Sequence, residues 1–372
     1  MSFPPLREAL LGLEPYGAPQ VPFEQAPVQL NVNENPYGPS PEAAADIAHS
    51  VQRAATTLNR YPDREHVELR SALTGYLNGD GGQGVTPEQV WAANGSNEVM
   101  LQLLQAFGGP GRVALSFAPT YSMYPEYARD TLTDWVVGHR EQDFTLDLGH
   151  ARALVEAHRP SVVLLPSPNN PTGTALAPEA VTMLCETVGD DGLVVVDEAY
   201  GEFRRAGTPS ALALLPRHRN LVVTRTMSKA FALAGARLGY LAADPAICDA
   251  IRLVRLPYHL SAVTQATALA ALRHAPELLA KVDELRAERD RTVDWLRGQG
   301  LEVADSDANF VLFGGFADRH AVWQALLDRG VLIRETGPSG WLRVSVGTPE
   351  EMGHFRTALT EVLRSDPSKE AR

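Results

Sequence analysis

Apolar and polar positions change their spacing twice along the chain. The first 40 residues hold no sustained period. Pro15-Tyr-Gly-Ala-Pro19 and Asn31-Val-Asn-Glu-Asn-Pro-Tyr-Gly-Pro39 are dense in turn formers. Such a segment reads as an arm or a strap across another surface, and Tyr16, Asn33, Glu34 and Asn35 furnish it with polar groups. Helical spacing sets in over 41–58 and again over 67–77. From residue 89 short apolar runs take turns with helical patterns. Strands are predicted over 89–93, 112–116, 161–165, 192–197 and 220–224, and helices over 99–107, 151–158 and 178–188. That alternation predicts an α/β fold with a mainly parallel sheet between helices.

Beyond residue 239 the pattern changes again. Pro257-Tyr-His-Leu-Ser261 is an irregular link, and 265–299 is largely helical with an interruption at His274-Ala-Pro276. Strand-like runs over 309–313, 331–334 and 340–346, with a helix over 319–329, predict a smaller α+β unit. The expected organisation is an arm over 1–40 that joins the small domain, a large domain over 41–265 and a small domain over 266–372. The tail after Arg364 is expected to be disordered.

Gly79-Asp-Gly-Gly-Gln-Gly84 matches the dinucleotide pattern GxGxxG, but a helical pattern precedes it and Val85-Thr-Pro87 follows. That fingerprint needs a strand before it and a helix at its end, so a flexible surface loop is expected. Glu65-His-Val-Glu68 reads as a solvated helix face. With 44% hydrophobic and 21% charged residues the 372-residue chain can bury a large core, and a net charge of −12 argues against nucleic acid as a partner. Cys185 and Cys248, far apart in periodic segments, read as core thiols of a reducing compartment. Met1-Ser-Phe-Pro-Pro lacks an export signal and no apolar run reaches membrane-spanning length, so a cytoplasmic location without a membrane partner is expected. No His/Cys spacing suggests a metal.

The candidate chemistry gathers just after strand ends, where ligands of α/β sheets bind. Lys229 stands among Ala, Phe, Leu and Gly. Desolvation favours its neutral amine, which can attack a carbonyl carbon. Ser228 and Arg237 beside it suit a phosphate. An imine-forming lysine next to a phosphate clamp suggests pyridoxal phosphate. Asn94-Gly-Ser-Asn-Glu98 opens a helix after a strand, which suits an anion on the amides of Ser96 and Asn97. Tyr121 could stack on a planar ring, and Asn169 or Asn170 could bond a ligand. Asp197 closes a strand buried on both faces and needs a partner. Arg334 and Arg343 lie on strands among apolar neighbours, which implies a bound anion or carboxylate partners.

Asn170-Pro-Thr-Gly173, Asp197-Glu-Ala-Tyr200 and Ser228-Lys-Ala…Ala-Gly-Ala-Arg-Leu-Gly-Tyr240 occur in one order across nearly the whole chain. In these motifs it resembles the aspartate-aminotransferase-like superfamily of pyridoxal-phosphate enzymes, fold type I. Leu30-Asn-Val-Asn-Glu-Asn-Pro-Tyr-Gly-Pro39, Arg60-Tyr-Pro-Asp63, Pro257-Tyr-His-Leu-Ser261 and Trp341-Leu-Arg-Val-Ser345 are similar to the histidinol-phosphate aminotransferase family within it. The resemblance implies a three-layer fold and a homodimer that moves an amino group between L-histidinol phosphate and 2-oxoglutarate. It implies that Lys229 carries the cofactor and shuttles the proton. Asp197 would pair with the ring nitrogen, Tyr200 and Asn170 with the phenolic oxygen, and Tyr121 would stack on the ring. Ser96, Asn97, Ser228, Arg237 and Tyr61 from a second subunit would hold the phosphate. Arg343 and Arg334 would take the substrate anion, with Tyr16, Asn33 and Tyr258 nearby. Related chains more often carry Gly at 232 and Leu or Met at 236, so tighter packing is expected at Ala232 and Ala236. Alternatives are an aromatic amino-acid aminotransferase, a phosphothreonine-type decarboxylase, and a ligand-sensing module of a regulator, although the basic DNA-binding segment such a module needs is absent.

Overall fold

The computed structural model describes residues 5–15, 17 and 20–364. Tyr16 and the tail over 365–372 lie outside the described residues. The chain order is β1 (Val28–Gln29), α1 (Pro41–Ala55), α2 (Val67–Gly79), β2 (Val90–Ala93), α3 (Ser96–Phe107), β3 (Val113–Ala118), α4 (Tyr124–Asp130) and β4 (Asp134–His139). Next come α5 (Leu148–His158), β5 (Val162–Pro166), α6 (Pro178–Val188), β6 (Leu193–Asp197), β7 (Leu221–Thr226), β8 (Gly239–Ala243) and α7 (Pro245–Val254). The chain continues through α8 (Ala262–Arg273), α9 (Ala275–Gly298), β9 (Glu302–Val303), β10 (Phe310–Gly314), α10 (Arg319–Leu327), β11 (Val331–Leu332), β12 (Trp341–Ser345) and α11 (Pro349–Arg364).

Seven strands form the central sheet in the order β2-β8-β7-β6-β5-β3-β4, with β8 antiparallel to both neighbours and the other pairs parallel. The expected mainly parallel α/β sheet is present. Every residue of β5 and β6 is buried, as Val- and Leu-rich runs under helices on both faces must be. Alternation divides them: Val163, Leu165, Val194 and Val196 feed one core, and Val162, Leu164 and Val195 the other. The register Pro166↔Asp197 and Asp197↔Thr224 brings the ends of β5, β6 and β7 level. That shared edge positions the site.

The chain ends meet. β1 pairs in parallel with β11, and β10 pairs antiparallel with β12 and β9 over a separate apolar core. Helix α9 links the two cores, with Leu278, Val282 and Leu285 in the sheet's core and Val293 and Leu296 in the other. The break before it falls at His274, with Pro276 in its first turn.

Three expectations need correction. The Gly79–Gly84 loop follows a helix, but its Asp80 is tied down by Arg225 at 2.8 Å and Arg204 at 3.5 Å. His66 is buried at 1% exposure between Trp91 and His259 rather than solvated. Ala232 and Ala236 are only half-buried. What Ala232 meets is backbone strain, a φ of 55°, which a glycine would adopt freely.

Candidate active site

The level strand ends open into a cavity of about 420 Å³. Asp197, last residue of β6, is 5% exposed and meets no cationic side chain among the described residues. Its oxygens accept from Thr224 Oγ1 at 3.0 Å and from the Tyr124 hydroxyl at 3.1 Å. Burial pushes its carboxyl up to about 6, against the pull of those two hydrogen bonds. A buried acid in that condition awaits a cation. Lys229 follows β7 by three residues and donates from Nζ to the Val32 carbonyl at 3.1 Å. Burial, then the Arg343 and Arg237 cations, lower its amine to about 8, with Glu34 opposing. At pH 7.5 that raises the neutral fraction roughly two-hundred-fold over an ordinary lysine.

Between these groups and α3 lies an anion cradle. Gly95, with φ +83°, turns the chain from β2 into the first turn of α3, and no side chain caps that helix. A Cβ on Gly239 would fall 2.1 Å from the Ser96 nitrogen, and one on Gly95 would fall 2.6 Å from an Arg237 guanidinium nitrogen. The glycines therefore keep the backbone low beneath the helix N-terminus, where the amides and the dipole favour a phosphate. Ser96, Asn97, Ser228 and Arg237 all line this end of the cavity. Tyr121 lines it too, edge-on to Tyr124 at 5.5 Å.

The opposite wall is built from the two chain ends. Arg343 on β12 donates to the Asn31 carbonyl at 2.9 Å and to Asn170 Oδ1. Arg334 and Arg343 exchange backbone hydrogen bonds, and both line the cavity. Asn33, at φ 56°, donates from Nδ2 to the Tyr200 hydroxyl at 3.0 Å and accepts from Ser345 Oγ at 2.9 Å. Residues 31–35 thus form the strap that the turn-rich sequence suggests, fixed by contacts more than 300 positions apart in the chain.

Thirteen expected residues meet here: Asn33, Ser96, Asn97, Tyr121, Asn170, Asp197, Tyr200, Ser228, Lys229, Arg237, Arg334 and Arg343 line the cavity, and Glu34 joins them. Of the two asparagines, Asn169 is spent on the loop, donating to Pro119 O and Thr172 Oγ1, and Asn170 faces the cavity. Tyr61 and Tyr258 do not line it; they stack on each other at 4.4 Å, well exposed. Sequence reasoning misses Tyr124, Thr224 and the Asn31 and Val32 carbonyls. Tyr124, one helical turn after Tyr121, and Thr224, level with Asp197 across the ladder, carry a usable signal. Carbonyls carry none.

The donor set fits pyridoxal phosphate: a glycine-lined cradle for a phosphate, an unpaired buried acid for a ring cation, and a depressed lysine between them. An α/β fold with this lysine at its strand ends defines a pyridoxal-phosphate-dependent enzyme, and the family match narrows it to a transaminase. The Aminotransferase class I and II family matches residues 26–359, and the chain belongs to that family. Histidinol-phosphate aminotransferase of Thermobifida fusca is 62% identical over 355 residues, 95% of this chain and 94% of the relative. That of Bifidobacterium adolescentis is 56% identical over 376 residues, 97% of this chain and 95% of the relative. The fold matches the crystal structure of histidinol-phosphate aminotransferase from Sinorhizobium meliloti in complex with pyridoxal-5'-phosphate, at TM-score 0.84 and 25% identity, covering 98% of this chain and 99% of that one. It also matches a Thermus thermophilus aspartate aminotransferase tetra mutant at TM-score 0.80 and 25% identity, covering 97% and 99%.

Proposed function

We propose that this chain transfers an amino group from L-histidinol phosphate to 2-oxoglutarate, giving imidazole acetol phosphate and glutamate, as a step in histidine biosynthesis. Near-full-length identity of 62% to an enzyme of that name carries the reading. The paired Arg334 and Arg343 on one wall of the cavity support it, since a phosphate ester and a carboxylate must both be held there in turn.

Asp197 would face the ring nitrogen and keep it protonated, with Tyr124 and Thr224 aiming its oxygens. Tyr200 and Asn170 would bond the phenolic oxygen, and Tyr121 would cover the ring. Ser96, Asn97, Ser228 and Arg237 would hold the phosphate, joined by Tyr61 of the partner subunit. Bound pyridoxal phosphate supplies an electron sink for the pair left when the substrate Cα–H bond breaks. Lys229 Nζ, once free of the cofactor and neutral, would take that proton as general base and return it as general acid. Arg343, Arg334, Asn33, Tyr16 and Tyr258 would orient the substrate, and a ping-pong cycle follows from using one cavity for both substrates.

A homodimer belongs to the same proposal. Tyr61 and Tyr258 stack on each other, and Leu58, Val67, Leu253 and Leu256, close to them in the chain, are also exposed, apolar surface suited to a second copy. The division into an arm over 1–40, a large domain over 41–265 and a small domain over 266–372 also stands as a proposal, as does a cytoplasmic location. No described helix is long and apolar enough to cross a membrane.

The deciding measurement is kcat/KM for L-histidinol phosphate against L-phenylalanine in the amino-donor half-reaction. A higher value for phenylalanine would replace this reading with an aromatic amino-acid aminotransferase.

A further inference from the structure

Alternate side chains of β7 serve two places. Thr224 and Thr226 face Asp197 and the catalytic cavity, and Arg225 between them points to the other side of the sheet. There Arg225, wholly buried, pairs with Glu198 at 2.7 Å, Glu202 at 3.0 Å and Asp80 at 2.8 Å. Arg204 joins Glu198 at 3.3 Å and Asp80 at 3.5 Å. Three carboxylates thus share two guanidiniums, which leaves one negative charge over. Asp283 and Arg286 nearby pair with each other at 2.8 Å and do not alter that balance.

Asp80 and Glu202 of this cluster line a second cleft, of about 420 Å³, between α2 and α9. Glu202 lines it at 7% exposure. Its Oε1 accepts from Arg225 and from the Tyr76 hydroxyl at 2.9 Å, and its Oε2 is buried with no hydrogen-bond partner among the described residues. Leaving such an oxygen without a donor is unfavourable, because it has given up water and gained no partner in exchange. Tyr76, Leu279 and Val282 give the walls apolar surface. Gly75 and Gly79 stand one turn apart on α2, and a Cβ at either would meet nothing within 4 Å. Glycine inside a helix is less favourable than alanine, so at Gly75 the groove is kept open against the helix's own preference.

We propose that this cleft is a binding site separate from the catalytic cavity, for a small organic monocation: one protonated amine to complete Glu202, carried on an apolar body that fills the groove along Gly75 and Gly79. An anion would meet the uncompensated negative charge. A divalent metal would find one open carboxylate oxygen where it needs several.

The test is calorimetric titration of the holoenzyme at pH 7.5 with N,N-dimethyl-2-phenylethylamine. This tertiary amine keeps one N–H when protonated and cannot condense with an aldehyde in the catalytic cavity. One saturable site per chain is expected, with 2-phenylethyl methyl ether, the uncharged analogue, binding at least tenfold more weakly. Gly75→Leu fills the groove with a better helix former and should weaken the amine at least tenfold, with kcat and KM for amino transfer unchanged. Glu202→Gln removes the charge and should weaken it about as much, which keeps the test decisive should Gly75→Leu fail to fold. Absence of saturable binding, equal affinity for the ether, or undiminished affinity in the folded variants overturns the proposal.

Discussion

Asp197 should destabilise the protein that carries no cofactor. Its carboxyl rises from the ordinary 3.8 to about 6 because burial penalises the charged form more than Thr224 and Tyr124 relieve it. A carboxyl with a raised folded pKa contributes its stability below the unfolded value, near pH 4, and loses it as the pH climbs through 6. A shift of about two units at roughly 1.4 kcal/mol each makes about 3 kcal/mol of destabilisation at pH 8. Asp197→Asn keeps an oxygen for Thr224 and offers an amide to the Tyr124 oxygen, so most of the local bonding survives. The cofactor-free variant should therefore unfold at a temperature a few degrees above wild type at pH 8, and the gain should vanish near pH 4. The same variant should bind pyridoxal phosphate more weakly, since the ring nitrogen loses its counter-charge. Calorimetric Tm from pH 4 to 8 with a fluorescence titration of the cofactor measures both. A variant less stable than wild type by the same margin at every pH would refute the reasoning, because it would show that charge burial does not govern this residue.

Four further outcomes are expected. Lys229→Ala should abolish the borohydride-trapped cofactor adduct seen by mass spectrometry in wild type, and a trapped adduct at another lysine would remove Lys229 from its role. With the amine held near 8 by burial and its arginine neighbours, the rate of covalent cofactor loading should rise with pH and level off above about 8; a flat rate from pH 6 to 9 counts against a depressed lysine. Arg343→Ala should raise KM for amino donor and keto acid about ten- to hundredfold, the loss of a charged hydrogen-bonding partner; an unaltered KM for both substrates dismisses the anion clamp. Ala232→Gly relieves a left-handed backbone and should stabilise the chain by about 0.5–1 kcal/mol in urea unfolding, whereas a loss of stability would mean that the methyl's packing outweighs the strain.

Most of the cavity was legible because its side chains sit at strand ends that the apolar runs mark directly. Asp197 closes Val-Val-Val, and Lys229 follows Leu-Val-Val-Thr by a short turn. Elements without that contrast went unread. β4 is a largely uncovered edge strand, so Asp134–His139 shows no buried alternation. α4 spans only Tyr124–Asp130, too short for a period to emerge. α11 is different: Met352, Phe355, Leu359 and Val362 are buried at helical spacing, so its signal was present in the residues. Nothing local marks the burial of His66 or the anchoring of Asp80, because their surroundings come from afar, Trp91 and His259 for one and Arg225 for the other. A local window holds no trace of either.

The strap has a consequence for how the enzyme is born. Asn31 waits for Arg343, Asn33 for Ser345 and Val28 for Val331, so the amino-terminal segment emerges from the ribosome about 300 residues before its docking partners. Until translation is nearly complete the cavity lacks a wall. A message cut short between α9 and β12 would yield a chain that holds every strand of the central sheet and Lys229, yet has no means of closing the mouth above it.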